Sequence, residues 1–472
     1  MVIIASILML TYLFFTGFVL KNTYLGNPLY ILLYIICFLP FYTTFQIIVF
    51  NAFDNIFLVN LIKYSKDFVF FTSFVLFILG TKEGLLSTKI KFSLLDKLIL
   101  SFLILTLVYL IIPLGDAAFL SKVIYSKNIF LIGIVYFFGR KTEFNSKNWN
   151  SILRIIIILT VLSFIIAFFE NIIGIHLHSL IGYADYNMFV NDIDPQGNYG
   201  LNWSFESQAS NPRYASFFAD PLEFSASLIL FFSVGLWYYL HSKLRNNKII
   251  YIGLIFIVCC SFLLALSRGA ILAAILVLCF GLFISKNYKT LFTGLSFVLI
   301  VFLYNLFFAS EDTRYLIEDT LTFQNTSSLG HLIEWIQGLL SIYENPFGVG
   351  LAMSGNASGV DQSIKIGGEN QFLIYGVQMG VIAVFLYIAI ILKSIINSFI
   401  TYRRDISYSN NSISFITACI KVGLIIPLFT ANAELYLFVA LFSWYLVGQV
   451  ESLYNSYELN QKIKIEKGYS FY

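Results

Sequence analysis

Long apolar runs, separated by short polar segments, follow one another along almost the whole chain. A helix needs about 20 predominantly apolar residues to cross the hydrocarbon core of a bilayer. Thirteen runs meet or approach this length, and we predict a membrane span in each: 2–20, 28–50, 67–80, 97–114, 122–138, 152–174, 214–240, 249–266, 269–285, 291–308, 371–397, 413–429 and 434–447. The third run is short and can be extended back to Ile56, so we expect about 12 to 14 spans.

Two long polar stretches interrupt this pattern. They divide the chain into N-terminal spans (1–174), a first loop (175–213), central spans (214–308), a second loop (309–370) and C-terminal spans with a tail (371–472). Inside the second loop, residues 329–342 carry apolar side chains at helical spacing. This stripe predicts a short helix on the membrane surface, and we favour a helix that covers the bundle over one that lines a substrate groove.

The composition is also typical of an integral membrane protein. Of its 472 residues, 58% are hydrophobic and 12% are charged, whereas soluble proteins carry about 25% charged residues. A soluble chain of this size would need far more polar surface. We therefore predict an all-α fold, a polytopic transmembrane helix bundle with two long extracytoplasmic loops, in contact with the lipid bilayer. The net charge of +3 gives no indication of a nucleic-acid partner.

The orientation follows from the basic residues of the short loops. Cytoplasmic loops of membrane proteins are enriched in lysine and arginine. The basic residues in this chain alternate correctly between spans: Lys21, Lys82, Lys89, Lys91, Arg140, Lys141, Lys147, Lys243, Arg245, Lys248, Lys286, Lys289, Arg403, Arg404, Lys462, Lys464 and Lys467. We therefore predict that these segments are cytoplasmic, and that the N-terminus and the two long loops lie outside.

Arginines near the ends of spans are the first candidates for chemistry, because ionisable groups at membrane depth are costly. Arg268 lies in a tight turn between two spans; it either acts on a substrate or snorkels and caps a helix end. Arg213 lies where the first loop re-enters the membrane, followed by Asp220, Pro221 and Glu223. Pro221 frees backbone groups that must be buried or line a polar cavity. The alternative is a structural Arg213–Asp220 ion pair.

The second loop supplies the remaining candidates. Glu369 and Asn370 open a span, and a carboxylate at such a mouth can have a raised pKa and accept a proton. Glu369 could equally cap the helix N-terminus. Arg314 is a candidate cation or a surface ion-pair partner of nearby acidic residues, and His331 is a candidate phosphate ligand or a solvated side chain.

These groups together suit a substrate that carries a diphosphate and a hydroxyl. Arginines neutralise a diphosphate and stabilise it as a leaving group, and a carboxylate takes a proton from the attacking hydroxyl. Asp192 and Asp194 have the spacing of a metal motif without a nucleotide-binding context, and His176 and His178 lack a third ligand. We expect neither a metal nor a cofactor.

Several segments resemble the O-antigen polymerase and O-antigen ligase superfamily of bacterial membrane glycosyltransferases. Their order along the chain, combined with the two long loops, makes the resemblance more specific than any one segment. The segments are Arg213-Tyr214 with Phe217, Phe218 and Asp220-Pro221, Leu264-Ala265-Leu266-Ser267-Arg268-Gly269-Ala270, Gly330-His331-Leu332-Ile333-Glu334-Trp335, Glu344-Asn345-Pro346-Phe347-Gly348-Val349-Gly350, and Glu369-Asn370-Gln371-Phe372-Leu373 with Gly376 and Gly380.

The resemblance implies a GT-C-like bundle and a metal-independent glycosyl transfer outside the plasma membrane. A growing glycan on undecaprenyl diphosphate would pass to a repeat unit on a second such lipid, with a chain-length regulator as a further partner. By resemblance, Glu369 and Arg268 are catalytic. Arg213, Arg268, Arg314 and His331 bind diphosphate, and Asn370, Asp220 and Glu223 support them.

The resemblance also leaves alternatives open. Ligases usually carry a histidine where this chain has Glu369, which favours a polymerase, whereas His331 stands where the family often has arginine. The alternatives are an O-antigen ligase that transfers glycan to lipid A-core and, in another class, a flippase for lipid-linked oligosaccharide. The flippase is disfavoured because charges in the middle of spans are scarce.

Overall fold

The computed structural model describes residues 1–80, 92–207, 211–242, 244–308, 326–357, 359–361, 363–405 and 407–466. These residues form α1 (Val2–Tyr24), α2 (Leu29–Phe38), α3 (Tyr42–Phe53), α4 (Ile56–Gly80), α5 (Leu94–Ile111), α6 (Phe119–Lys141), α7 (Ser146–Ile173), α8 (Leu177–Leu180), α9 (Tyr183–Val190), α10 (Pro221–His241), α11 (Arg245–Ala265), α12 (Arg268–Ile284), α13 (Tyr288–Phe308), α14 (Thr326–Glu344), α15 (Gln371–Arg404), α16 (Tyr408–Thr430) and α17 (Leu437–Glu466).

Every predicted span coincides with a helix, and the predicted all-α membrane bundle is confirmed. Ten described helices are long and apolar enough to cross a bilayer, with α2 and α3 counted together across a short 3₁₀ segment. The helix α12 is apolar over 17 residues. The helix at the third predicted span, α4, begins at Ile56, as the extended alternative allowed, but α4 and α13 are not among these ten helices.

Some predictions fall on residues that lie outside the described part of the chain. They concern the acidic and basic residues of the second loop and several of the residues used for orientation: Arg314, Lys82, Lys89, Lys91, Lys243 and Lys467.

A buried carboxylate fastens α5 to α6 near one end of the bundle. Asp96 completes a capping box with Ser93 at the start of α5. The same carboxylate accepts two hydrogen bonds from the guanidinium of Arg140, at 3.0 and 2.9 Å, and one from the hydroxyl of Tyr136 at 2.6 Å. One of the predicted orientation residues, Arg140, is therefore also a structural cation.

The two ends of the first loop meet at Glu170, near the end of α7. One carboxylate oxygen accepts from the N–H of Leu177 at 2.7 Å, and the other accepts from the N–H of Ser216 at 3.0 Å. Both donors lie where the backbone has left a long helix, so the carboxylate satisfies groups that would otherwise be buried without a partner. This bridge holds the segment around Arg213 against the bundle.

The helix α15 is interrupted at Gly380, whose φ of 78° and ψ of −176° are not helical. The end of the second loop fills the break. The N–H of Val349 donates to the carbonyl of Val377 at 2.8 Å, that of Gly350 donates to Gln378 at 3.1 Å, and Val381 donates to Pro346 at 2.9 Å. The loop segment therefore replaces the helical hydrogen bonds that the break removes.

The predicted surface helix of the second loop is present as α14, and it extends further in both directions than 329–342. It packs on the first half of α15, where a Cβ added to Gly338 would lie 3.3 Å from Leu373 and one added to Gly376 would meet Ile342. Its apolar stripe is exposed in the protein: Leu329, Leu332, Ile333, Ile336, Leu339 and Leu340. Such a helix contacts the bundle with one side and offers the other to lipid.

The contact at the helix break predicts a strict requirement for glycine at position 348. Gly348 has a φ of +80°, and an added Cβ would lie 2.6 Å from both the carbonyl oxygen of Gln378 and the N of Gly380. Left-handed backbone alone costs a non-glycine residue about 1–2 kcal/mol. We expect Gly348→Ala to lower the unfolding temperature in detergent markedly.

Gly330→Ala is the matched control, because a Cβ at Gly330, within α14, meets nothing within 4 Å. It should leave the unfolding temperature unchanged or raise it slightly, since alanine favours helix. Equal stability of the two variants would contradict the proposed packing at the break.

Candidate functional site

Glu369 lies immediately before α15, but it does not cap that helix. Asn370 is the cap: its side-chain oxygen accepts from the N–H groups of Phe372 at 3.0 Å and Leu373 at 3.3 Å. The alternative that Glu369 acts as the cap is therefore wrong. A carboxylate oxygen of Glu369 lies instead 3.2 Å from Nδ1 of His331 in α14. The supporting residue Asn370 thus leaves the Glu369 carboxylate available.

The surroundings of Glu369 favour its protonated form relative to an ordinary glutamate. Burial raises the pKa of the Glu369 carboxyl, and the nearby carboxylate of Glu334 raises it further, whereas His331 and Lys365 act in the opposite direction. The side chain remains 35% exposed, so a substrate can reach it. An accessible carboxylate with a raised pKa is suited to act as a proton acceptor.

Among the described residues, His331, Glu334 and Glu369 form a group that could hold a divalent cation. Their ligand atoms all lie within 4.8 Å of one another. The direct 3.2 Å contact between His331 and Glu369 already partners the imidazole with a carboxylate. Sequence reasoning placed His331 and Glu369 at one site but assigned no role to Glu334.

Arg213 is fixed against the end of α11 by backbone contacts. Its N–H donates to the carbonyl of Phe205 at 2.8 Å, and its side-chain Nε donates to the carbonyl of Ala265 at 3.1 Å. Burial lowers the pKa of the Arg213 guanidinium, while Asp220 and Tyr436 oppose that shift. An arginine stays charged under such conditions, so Arg213 presents a cation at the rim of the bundle.

Arg268 follows the same helix end by three residues and begins α12. The turn is made by Leu266, which has a left-handed φ of 45°, and by Ser267. The Arg268 side chain is exposed. A Cβ on the next residue, Gly269, would lie 3.4 Å from the hydroxyl of Thr430 at the end of α16. Arg268 therefore stands at the end of the bundle where α16 turns into α17.

Asp220 and Glu223 have structural contacts at the start of α10. The Asp220 carboxylate accepts from the N–H groups of Leu222 at 2.7 Å and Glu223 at 2.8 Å, with Pro221 at the first helical position. Burial raises the pKa of the Asp220 carboxyl, while these N–H groups and Arg213 lower it. Glu223 accepts from the N–H of Phe438 at 3.5 Å, which connects α10 to the start of α17.

Tyr436 is the residue that links these elements, and sequence reasoning missed it. The pKa of its hydroxyl lies well above the ordinary value, because of burial and then because of the carboxylates of Asp220, Glu369 and Glu223, with Arg213 opposing. Four of the predicted site residues thus act electrostatically on one hydroxyl. A tyrosine between two spans carries no signal in a sequence with 30 tyrosines, so only the fold could reveal it.

The charges of Arg213, Asp220, Glu223 and Glu369 thus all influence the Tyr436 hydroxyl, His331 lies against Glu369, and Arg268 lies at the same end of the bundle. Arg314 lies outside the described residues. The catalytic, supporting and diphosphate-binding roles of these side chains stay predictions.

One comparison with known proteins identifies part of the chain. Residues 252–388 match the family model described as O-antigen ligase. The matched segment contains Arg268, His331 and Glu369, whereas Arg213 and Tyr436 lie outside it. No curated protein matches the chain. This match shows that the segment 252–388 is similar to the O-antigen ligase family.

Proposed function

We propose that this membrane protein is a polysaccharide repeat-unit polymerase for O-antigen or capsule. It transfers a growing glycan from undecaprenyl diphosphate to a lipid-linked repeat unit on the outer side of the bacterial inner membrane. The observation that carries the proposal is the Glu369 carboxylate, which has a raised pKa and lies at the same end of the bundle as two arginines.

The proposed step forms one glycosidic bond and breaks one sugar–phosphate bond. A hydroxyl of the acceptor sugar attacks the anomeric carbon of the donor glycan while Glu369 takes the hydroxyl proton. The bond from that carbon to the donor diphosphate breaks, and its electron pair leaves with undecaprenyl diphosphate. Negative charge grows on the leaving diphosphate, so fixed guanidinium groups stabilise the transition state more than the ground state.

Arg213 and Arg268 are the described cations suited to that leaving group. Arginine binds phosphate oxygens through two parallel hydrogen bonds. The Nε of Arg213 donates a hydrogen bond to the carbonyl of Ala265, which fixes the position of this side chain. Ala265 lies three residues before Arg268, so the two arginines extend from neighbouring parts of the backbone. We propose Arg314 as a further diphosphate ligand, as its position in the sequence suggests.

His331 has a second role in this proposal, because it touches Glu369. An imidazole at 3.2 Å orients the carboxylate and resists its protonation. Asn370 supports the same group by taking over the helix cap.

A ligase reaction is the second candidate, and one contact favours it. Ligases of this superfamily are expected to use a histidine near the position of Glu369, and here His331 lies against that carboxylate. The acceptor would then be lipid A-core in place of a second repeat unit. For the polymerase, we propose a chain-length regulator as the protein partner. The proposed reaction involves no nucleic acid.

Product analysis separates the two reactions. We expect purified protein in detergent, given lipid-linked repeat units alone, to produce a ladder of longer glycans on gels. Product formed only after lipid A-core is added would assign the ligase. Labelled lipid that crosses liposome membranes without a new glycosidic bond would assign a flippase. Activity lost with a chelator and restored by a divalent cation would make the cluster of His331, Glu334 and Glu369 a metal site and contradict metal independence.

Glu369→Gln should reduce chain growth by about 10²–10⁴-fold, because it removes the proton acceptor. A base works only when unprotonated, so a raised pKa moves the acid-side loss of activity to higher pH. The midpoint for the wild-type protein should lie above about 4.3, the ordinary glutamate value, in a plot of kcat/KM against pH. Glu344→Gln removes an exposed carboxylate from α14 and should leave the profile unchanged. Full activity of Glu369→Gln would eliminate Glu369 as the base.

Arg268→Lys should lower kcat by about a hundredfold or more, since lysine keeps the charge but loses the paired hydrogen bonds to the leaving group. Arg404→Lys, at the other end of α15, makes the same chemical change away from the site and should retain activity. Steady-state kinetics with thermal unfolding as a folding control would test both. A wild-type kcat in the Arg268→Lys variant would show that paired hydrogen bonds from this residue to the leaving diphosphate are not needed.

A further inference from the structure

An apolar groove lies between α1 and the pair α2–α3, away from the residues that carry the proposed chemistry. The groove is partly open to the outside and has a volume of about 420 Å³. Its walls are almost entirely hydrocarbon and aromatic rings, including Leu8, Tyr12, Phe15, Phe38, Phe41 and Phe45. A groove of this size and composition fits a long hydrocarbon chain better than a sugar.

A group of three lysines lies close to this groove with an excess of positive charge. Lys66 and Lys127 lie 3.8 and 2.5 Å from the same carboxylate, that of Asp67, and Lys63 donates to the side chain of Asn191 at 3.0 Å. The side chains of Lys66 and Lys127 are only 14% and 25% exposed. Buried charge is costly unless it is compensated, and one carboxylate does not compensate three ammonium groups.

One layer of aromatic rings separates the lysines from the groove. Lys66 Nζ lies 4.7 Å from the centre of the Tyr42 ring, and that ring packs edge-on against Phe38 of the groove wall at 5.7 Å. Tyr12, from the opposite wall, is hydrogen-bonded to the hydroxyl of Ser65 beside Lys66. A ligand with its apolar tail in the groove must therefore extend past this aromatic layer for its anionic head to contact the lysines.

The wall of the groove contacts the segment that precedes the candidate site. Phe41 stacks on Phe217 at 4.3 Å, and the hydroxyl of Thr44 donates to the carbonyl of Phe217 at 2.8 Å. Phe217 lies three residues before Asp220, so direct contacts connect the groove wall to the segment that leads into the candidate site.

We propose that the groove and the lysine cluster of Lys63, Lys66 and Lys127 bind the acceptor lipid, with its polyprenyl chain in the groove and its diphosphate on the lysines. This rests on the proposed function, in which two lipid diphosphates must be held at once. Only the donor diphosphate gains charge during the reaction. The acceptor diphosphate keeps its charge throughout, so flexible point charges are sufficient to bind it.

If the lysines bind only the acceptor diphosphate, their loss should affect KM and kcat differently. Interactions that are equal in the ground and transition states lower KM without changing kcat. The double variant Lys63→Gln/Lys66→Gln keeps the Lys127–Asp67 ion pair and so avoids an unpaired buried carboxylate. We expect its KM for the lipid-linked repeat unit to rise about 10–100-fold, as for the loss of charged hydrogen bonds, with kcat within about twofold of wild type.

Lys147→Gln/Lys289→Gln is the matched control, since it removes two exposed lysines from predicted cytoplasmic segments. It should leave both constants unchanged. If the wild-type protein elongates glycans and Lys63→Gln/Lys66→Gln keeps the wild-type KM, this inference fails while the proposed function stands. If the wild-type protein makes no polymer from lipid-linked units, the proposed function itself fails.

A binding measurement on the wild-type protein provides a second readout. Undecaprenyl diphosphate with a photoreactive group in its tail should label peptides of α1 and α3 on illumination, and unlabelled undecaprenyl diphosphate should prevent this. Labelling confined to other helices would overturn the assignment. Equally effective protection by phosphatidylglycerol would also overturn it, because the site would then be a general anionic-lipid site.

Discussion

The hydrogen bonds at the break in α15 are the constraint on which the candidate site depends. A bilayer offers no water to free backbone groups, and each one left without a partner costs several kcal/mol. Gly380 creates such groups, and Pro346, Val349 and Gly350 satisfy them. The last part of the second loop is thereby tied to the helix that begins just after Glu369. The loop and the helix can be described as one unit.

The cations of the proposed reaction fall into two kinds with different chemistry. Arg213, in the segment before α10, is hydrogen-bonded to the end of α11, and Arg268 begins α12 after the turn at that end. Lys63, Lys66 and Lys127 belong to the helices α4 and α6, beside an apolar groove. A reaction between two lipid-linked molecules needs one site that stabilises the charge developing in the transition state and a second site that binds its ligand equally well throughout.

The sequence predicted the helices well because a spanning helix has a local signal, namely its length and its apolar composition. The surface helix α14 was predicted for the same reason, from the spacing of residues such as Leu332 and Ile336. The contacts of the site have no such signal. His331 and Glu369 are separated by a turn, a helix end and a long loop, and Tyr436 is separated from Arg213 by most of the chain's second half.

The cap of α15 shows a finer limit of sequence reasoning. Glu369 and Asn370 are neighbours, and both are able to accept hydrogen bonds from a helix N-terminus. Only the backbone geometry decides between them, and it assigns the cap to Asn370. The lysine cluster was missed for a related reason: Lys63 and Lys66 lie in α4 and Lys127 in α6, and only the fold brings Lys66 and Lys127 to the carboxylate of Asp67.

The exposed apolar stripe of α14 has a consequence for how the protein meets its membrane. A helix that lies flat follows the height of the water–lipid boundary, whereas a spanning helix follows the thickness of the hydrocarbon. His331 lies in α14 and Glu369 directly precedes α15, and 3.2 Å separates the imidazole from the carboxylate. A displacement of α14 relative to α15 would therefore change the distance between these two side chains.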